Sequence, residues 1–519
     1  MFKRVLIANR GEIALRVQRS CRELGIETVA VYSEPDRNAL HVRQADSTVH
    51  IGPGPAAESY LVIERIIEAA RSTGAEAIHP GYGFLSENPA FARACDAAGI
   101  TFIGPPASAM QAMGDKVAAR KLMEESGVPV VPGAHDIDIE DVSGALLAAE
   151  GVGFPLLVKA ASGGGGRGIR LVESADELER AMSASGREAE ASFGDGTVFL
   201  ERYLEPARHI EVQIIADDHG NVRAYGEREC SIQRRHQKLV EESPSVAVTP
   251  ELRERLCAAA VAAARSCGYR NAGTVEFLMD DSGKFYFLEM NARLQVEHPV
   301  TELVYGVDLV AQQLAVAAGE ELPDDGVSMP PEPRGWAIEC RINGENPYQG
   351  FMPSLGLVEY VQSPLGPGTR FDSMLFDGLD VPIFYDSLLG KLIVWAGTRT
   401  DAIARMRRAL DDLMIIGLQT NVPFHQALLE HPDFVAGDIY TSWVESEFEM
   451  SAPPADDPRE LQALIAGAVA ADLLKAAGPT GGRTTATTSG WQRSARRAAV
   501  NPTAQDGGLH GWRRGTASS

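Results

Sequence analysis

Glu276 and Glu289 could share a divalent cation if the chain folds back on itself between them. Thr274–Asn291 alternates aromatic or aliphatic residues with polar ones on either side of Asp280-Asp281-Ser282-Gly283, which predicts two strands joined by a two-residue Ser282-Gly283 turn. That register sets Glu276 opposite Glu289 on one face, with Cβ atoms about 5 Å apart, where like charges repel unless a cation intervenes. Hard oxygen ligands of this kind suit Mg²⁺ or Mn²⁺, which take one or two carboxylates together with substrate phosphates. Asn291 points to the same face and can add a neutral oxygen. The same phase carries Arg293, Gln295 and Glu297 onward as a polar row, suited to an oxyanionic second substrate beside the phosphates. The alternatives are a solvated acidic edge for the carboxylates and a salt-bridged surface strand for the row.

A second chemical feature is the run Gly163-Gly164-Gly165-Gly166-Arg167-Gly168. It lies between two strand-like segments, Phe154–Ala160 and Ile169–Val172. A P-loop or a dinucleotide fingerprint would open a helix, so neither motif is present. Glycines between two strands let backbone N–H groups approach phosphate oxygens and let the loop close over them. Lys159, at the end of the first strand, can add a point charge. A flexible surface turn is the other reading of the glycines alone.

The elements that must position these groups are legible in outline. Residues 4–8 read as a buried strand, Glu12–Leu24 as a helix stopped by Gly25, and 28–32 as a second strand, a βαβ unit. Alternation continues through Tyr60–Thr73, Ala77-Ile78, Ala90–Ala98 and Thr101–Ile103, which predicts a doubly wound parallel-sheet domain over 1–114. The stretch around the glycine run, 115–205, reads as a linker and small lid lobe. Residues 206–333 read as an α+β lobe rich in hairpins, and 334–450 as a further α+β domain. In 451–519 an alanine-rich helical pattern (Asp457–Ala477) precedes a Gly/Thr/Ser/Arg-rich tail. The fold class expected is thus α/β with α+β, multidomain.

Composition narrows the function. The chain has 519 residues, 45% hydrophobic and 23% charged, as in globular proteins, and no apolar run reaches the ~20 residues of a membrane span. The formal net charge of −23 argues against nucleic-acid or anionic-membrane partners, which select basic surfaces. Six scattered cysteines without a C-x-x-C pair suggest reduced thiols and a cytoplasmic setting. Lysine is scarce (Lys3, Lys116, Lys121, Lys159, Lys238, Lys284, Lys391, Lys475), so a lysine inside a motif is informative.

Several ordered motifs together resemble biotin carboxylase, an ATP-grasp family, over residues 1 to about 448. They are Ala8-Asn9-Arg10-Gly11-Glu12-Ile13-Ala14, His79–Asn88, Gly114-Asp115-Lys116, the glycine run, Arg234-Arg235-His236-Gln237-Lys238 and Glu289–Pro299. The resemblance implies an ATP-grasp fold whose glycine-rich lobe closes on MgATP. It assigns Lys116, Lys159, the glycines Gly163, Gly164, Gly165, Gly166 and Gly168, the hinge Glu201-Arg202-Tyr203-Leu204, His209, Gln233, His236, Glu276 and Leu278 to the nucleotide. Glu276, Glu289 and Asn291 would hold the metals. Lys238, Arg293, Gln295 and Val296 would hold bicarbonate, Glu297 would be the base, and Arg341, in the alternating strand Ile338–Ile342, would meet the biotin ureido group. Tyr82, Gly83 and Glu87 would line the same cleft. Taken alone, His209 and His236 read as core or surface histidines. Ala292 departs from the threonine usual in the family, without effect on the ligands. Tyr385–Leu392 recurs in the family and reads as a buried strand with no assigned chemistry.

A biotin carrier needs a lysine beside a methionine at a hairpin tip, and no lysine here neighbours a methionine. Biotin is therefore expected as a substrate on a separate biotin carboxyl carrier protein, with carboxyltransferase subunits as further partners; the resemblance also implies a homodimer. Gly490–Arg497 resembles the closing segment of some stand-alone biotin carboxylase subunits, which suggests a docking or disordered tail. Two other readings remain: an ATP-grasp ligase with another acyl-phosphate and amine acceptor, and a catalytically silent nucleotide-binding subunit.

Overall fold

An unbroken apolar run such as Val5-Leu6-Ile7 can lose all contact with water only if both faces of its strand are covered, and in the computed structural model all three residues are fully buried. The structure describes residues 1–137, 141–160, 169–193, 196–322 and 331–450, together with Val469. The glycine run and nearly all of the tail pattern lie outside the described residues.

Strand β1 (Arg4–Ile7) leads through helix α1 (Gly11–Glu23) to β2 (Glu27–Ser33), followed by β3 (Ser47–Gly52), β4 (Ala77–His79) and β5 (Thr101–Phe102). All pair in parallel, in the order β3-β2-β1-β4-β5, so the predicted doubly wound sheet is present. The order reverses beside β1. A crevice opens there between the loops that follow β1 and β4, the usual ligand site of such a sheet. Asn9 ties these loops together, its Nδ2 donating to the carbonyls of Pro80 and Tyr82 at 2.7 Å each.

A smaller antiparallel sheet follows, built from β6 (Gly133–Ile137), β7 (Leu156–Ala160), β8 (Arg170–Val172) and β9 (Val198–Arg202) in the order β6-β9-β7-β8. Strands β7 and β8 pair as a hairpin, so the segments flanking the glycine run are the two strands expected. Helices Val142–Val152 and Ala175–Phe193 pack on this sheet, and Ala149, Leu156, Val158, Leu178 and Leu200 form its own core.

The third sheet has eight strands. In chain order they are β10 (Ala207–Ala216), β11 (Val222–Arg234), β12 (Gln237–Ser243), β13 (Asn271–Asp280), β14 (Phe285–Asn291), β15 (Trp336–Asn343), β16 (Thr369–Ser373) and β17 (Leu388–Ala396). Their order is β14-β13-β10-β11-β12-β15-β17-β16, so one continuous sheet crosses the boundary expected near residue 334. In β15, Ile338, Cys340 and Ile342 pack with helix Arg399–Asp412, and Glu339 and Arg341 alternate onto the other face. The segment Tyr385–Leu392 becomes strand only from Leu388; Tyr385 instead hydrogen-bonds Ser33 and Gly54 as a clasp onto the first domain.

The β13–β14 hairpin corrects one expectation. Its turn has three residues, not two. Gly283 N–H donates to the Asp280 carbonyl and Gly283 sits at φ +75°, while Phe277, Leu278 and Met279 pair with Phe287, Tyr286 and Phe285. That phase alone would set Glu276 opposite Leu288. A register shift beyond Phe277 leaves Leu288 as the extra residue of a bulge and restores Glu276 opposite Glu289. The pairing expected is therefore present, reached by two deviations that cancel.

Candidate active site

A cavity of about 1060 Å³ lies where the three sheets meet. Of the residues expected at the site, Tyr82, Gly83, Glu87, Lys159, Glu201, Arg202, Tyr203, Leu204, His209, Gln233, His236, Lys238, Glu276, Leu278, Glu289, Asn291, Arg293, Gln295, Val296 and Arg341 line it. Lys116 lies outside this lining. It is the first residue of helix Lys116–Glu125, whose N-cap Asp115 accepts from the Val117 and Ala118 N–H groups, and its charge still acts on Glu289. Gly163–Gly168 fall outside the described residues. Glu297 is fully buried behind the wall and reaches the site through its hydrogen bonds.

At the centre is Lys238. Its Nζ donates to Glu276 Oε1 at 2.9 Å, to Glu297 Oε1 at 2.7 Å and to Glu211. Burial pulls the lysine toward its neutral form, but the three carboxylates outweigh it and hold the pKa well above the usual lysine value. Burial likewise disfavours the carboxylates, yet Lys238 and His209 bring Glu276 below the ordinary range, and Lys238 with Arg341 does the same for Glu297. Gln233 Nε2 lies 3.0 Å from His209 Nδ1 and can only donate, so the His209 proton is assigned to Nε2, which faces Glu276 Oε2 at 3.2 Å.

Glu289 differs. Its carboxyl faces the open cavity, and among the described residues it has no ion-pair partner. Desolvation and the neighbouring Glu276 raise its pKa, offset in part by Lys116. Asn291 stands two residues on, its Oδ1 accepting from Arg293 and its buried Nδ2 without a partner among the described residues. A carboxylate pair with one member left uncompensated, beside an amide oxygen, fits a hard divalent cation. His209, Glu211 and Glu276 also bring ligand atoms within 4.8 Å of one another, but Lys238 and Arg228 already compensate Glu211 there.

The polar row beyond β14 converges by a different route from the one expected. The strand stops at Asn291, and residues 292–297 bend and turn into helix His298–Tyr305, with Glu297 as its N-cap. Arg293 is held in three directions, by Glu87 Oε2 (3.0 Å), Gln295 Oε1 (2.7 Å) and Asn291 Oδ1 (3.0 Å). Gln295 Nε2 donates to Glu276 Oε1 at 2.9 Å, and the Ala292 N–H donates to Glu87. Arg341 donates from Nε to Glu241 at 2.6 Å and from NH2 to Glu297 Oε2 at 3.0 Å. Lys159 pairs with Glu201.

Sequence reasoning missed the charges beneath this layer. Arg228, wholly buried, donates to Glu211, Gln213, Thr301 and Thr274 and so ties β10 to β13 and to helix His298–Tyr305. The signal was there: His209, Glu211 and Gln213 alternate with apolar residues in β10, a polar row in a strand otherwise built for the core. Lys391, also fully buried, donates to the Val296 carbonyl at 2.7 Å and pairs with Glu12, which accepts from Tyr82. Asn9, Arg10, Phe84 and Tyr385 complete the wall on the switch-point side, with Arg10 stacked 4.1 Å from the Tyr385 ring centroid.

Three family models cover this arrangement: the biotin carboxylase N-terminal domain over residues 1–110, the carbamoyl-phosphate synthase L chain ATP-binding domain over 115–325, and the biotin carboxylase C-terminal domain over 339–446. Biotin carboxylase 1 of Bacillus subtilis is 51% identical over 447 residues, which are 86% of this chain and 99% of the relative. The chain belongs to the biotin carboxylase family. The biotin carboxylase of Haemophilus influenzae is 49% identical over 451 residues, which are 87% of this chain and 100% of its own length. Among solved structures, a biotin carboxylase–ATP complex from Campylobacter jejuni matches with a TM-score of 0.81 and 46% identity, over 86% of this chain and 99% of that one. The biotin carboxylase domain dimer of Hydrogenobacter thermophilus 2-oxoglutarate carboxylase, in complex with MgADP, ADP and bicarbonate, matches with a TM-score of 0.81 and 47% identity, over 87% and 100%. As a biotin carboxylase the chain is an ATP-grasp ligase. All six of its cysteines are free, and among the described residues no helix is long and apolar enough to cross a membrane.

Proposed function

We propose that the chain carboxylates biotin carried by a separate carrier protein, using MgATP and bicarbonate, in the cytoplasm and as a homodimer working with carboxyltransferase subunits. The observation that carries this reading is the Glu276–Glu289 pair beside Lys238, an uncompensated carboxylate next to a buried cation at one wall of the cavity. Glu276, Glu289 and Asn291 would hold Mg²⁺ or Mn²⁺, which when bound neutralises charge on the phosphates. Lys159, the hinge Glu201–Leu204, His209, Gln233 and His236 bind the nucleotide, and the lobe of residues 115–205 closes over it.

Bicarbonate sits against Arg293, Gln295 and the Val296 backbone, with Lys238 neutralising it. Glu297 takes its proton. While paired with Lys238 and Arg341, Glu297 is too weak a base for that task. An anion that draws those two cations toward itself raises the Glu297 pKa, so the base gains strength when substrate arrives. The bicarbonate oxygen then attacks the γ-phosphorus and ADP leaves, giving carboxyphosphate. Its breakdown yields CO₂ and phosphate; the phosphate takes the biotin N1 proton, and Arg341 stabilises the enolate that attacks CO₂. The lid excludes water from these intermediates.

ADP release assayed with Mg²⁺ and bicarbonate, with and without free biotin, tests the reading. Biotin is expected to stimulate the rate, and Arg341→Ala to abolish the stimulation while leaving much of the bicarbonate-dependent ATPase. No stimulation by biotin, or equal loss of both rates, refutes it.

A further inference from the structure

Behind Arg341 lies a second carboxylate pair that the mechanism does not use. Glu241 of β12 and Glu339 of β15 are direct partners in the antiparallel register, and both are fully buried. Opposed side chains in such a register sit about 5 Å apart at Cβ. Arg341 is bonded to Glu241 Oε1 and to Glu297, and Lys391 is engaged by Val296 and Glu12. Among the described residues Glu241 Oε2 and both oxygens of Glu339 have no hydrogen-bond partner. The guanidinium thus spans two carboxylates and leaves a third, Glu339, two residues along its own strand, without a cation.

Two buried carboxylates in that position repel each other, and a proton held by one of them relieves the repulsion. The titratable and charged groups that act on the pair are Arg341 and Cys340 on β15, Cys230 on β11, Lys238 on β12, Lys391 on β17, Glu297 at the helix N-cap and Tyr82 from the first domain. Burial raises both carboxyls. Arg341 opposes this at Glu241, to which it is bonded, and Lys391 opposes it at Glu339, which has no bonded cation among the described residues.

We infer that Glu241 and Glu339 hold one proton between them and act as a positioning pair for Arg341, Glu241 as the anion that anchors the guanidinium and Glu339 as the neutral acid. This rests on the assignment of Arg341 to biotin made above. A neutral Glu339 leaves Arg341 directed at Glu241 and the cavity; an ionised Glu339 would draw the guanidinium back along β15. Biotin-dependent turnover must therefore fall on the alkaline side as the pair loses its last proton, while biotin-independent ATP cleavage follows its own profile.

The test measures kcat and KM for free biotin, and bicarbonate-dependent ATPase without biotin, from pH 6.5 to about 10 on the full chain. Glu241→Gln is expected to lower kcat for biotin about tenfold to a hundredfold, the effect of losing one charged hydrogen bond, with a smaller fall in biotin-independent ATPase. Glu339→Gln, which copies the acid, is expected to move the alkaline limb of the biotin profile upward by at least about one pH unit. Glu339→Met, also uncharged and of similar length, carries the same expectation and serves if the glutamine variant does not fold. A wild-type biotin profile without an alkaline fall, a Glu339→Gln limb that stays in place, or a Glu241→Gln variant that loses both rates equally overturns the inference. Arg341→Ala run alongside separates the two levels: if it lowers the biotin rate more than the ATPase while Glu241→Gln lowers both equally, the pair alone fails, and if it lowers both rates equally, the assignment of Arg341 fails and takes the pair with it.

Discussion

Replacing Lys238 with methionine removes the one cation that three carboxylates share. Of its partners, Glu211 retains Arg228 and Glu297 retains Arg341, but Glu276 is left with only Gln295 and His209. Removing one partner of a buried ion pair costs about 3–5 kcal/mol. Unfolding a unit of ~450 residues carries about 0.95 kcal/mol/K of entropy, so the thermal midpoint should fall by about 3–5 °C. The pH dependence carries the argument further. In the wild type, Lys238 holds Glu276 and Glu297 below the ordinary carboxylate range, so their stabilising contribution is present above that range and is lost only as pH falls through the depressed values. Without the lysine, burial dominates Glu276 and raises its pKa, so the variant gains by taking up a proton as pH falls. The gap between the two melting points should be widest near pH 8 and narrow toward pH 5, as scanning calorimetry at the two pH values would show. Bicarbonate-dependent ATPase should drop by about 10²–10³-fold. A gap that is flat or widens toward acid, or an ATPase loss under tenfold, would mean that Lys238 does not hold the three carboxylates together.

Glu289→Gln should raise the Mg²⁺ concentration for half-maximal ATPase by about tenfold, one charge-assisted contact being worth about that much; a metal titration that superimposes on wild type refutes the ligand role. The turn Arg235-His236 between β11 and β12 holds two non-glycine residues at φ +49° and +62°, so His236→Gly should stabilise the fold by about 1 kcal/mol while weakening ATP binding, checked by denaturant melts and nucleotide titration. Truncation after Met450 should retain bicarbonate-dependent ATPase, and loss of that activity would show that the tail serves the core. Lys391→Met should leave the Val296 carbonyl unsatisfied and raise KM for bicarbonate several-fold, with kcat changed less; the reverse split would count against a role at the bicarbonate loop.

The parts of the fold written in local pattern were legible in the sequence. Val5–Ile7 and its βαβ unit follow from apolar runs and glycine stops, and the hairpin of Glu276 and Glu289 from period-two alternation. The polar row Arg293–Glu297 was recognised as a group, but its route was not: the chain bends after Asn291, and the three side chains converge through hydrogen bonds to Glu87, Glu276 and Lys238 instead of by strand phase. The deeper charges were out of reach for a physical reason. Glu339 and Lys391 come from strands far along the sequence from the hairpin that carries Arg228 and Glu241, and only the order of the eight-stranded sheet shows that they share a neighbourhood. The segment carrying Lys391 reads locally as a buried strand, but the partner of its charge, Glu12, is supplied by the first domain.

The cancelling deviations in the β13–β14 hairpin bear on how this region can change over time. Closing the turn on Ser282-Gly283 while the bulge stays, or straightening the bulge at Leu288 while the three-residue turn stays, would each by itself take Glu289 out of register with Glu276. Either change alone is expected to inactivate, whereas the two together keep Glu276 opposite Glu289. Turn closure and bulge should therefore be inherited as a unit, and a library of variants that alters both should retain function only where the two change together.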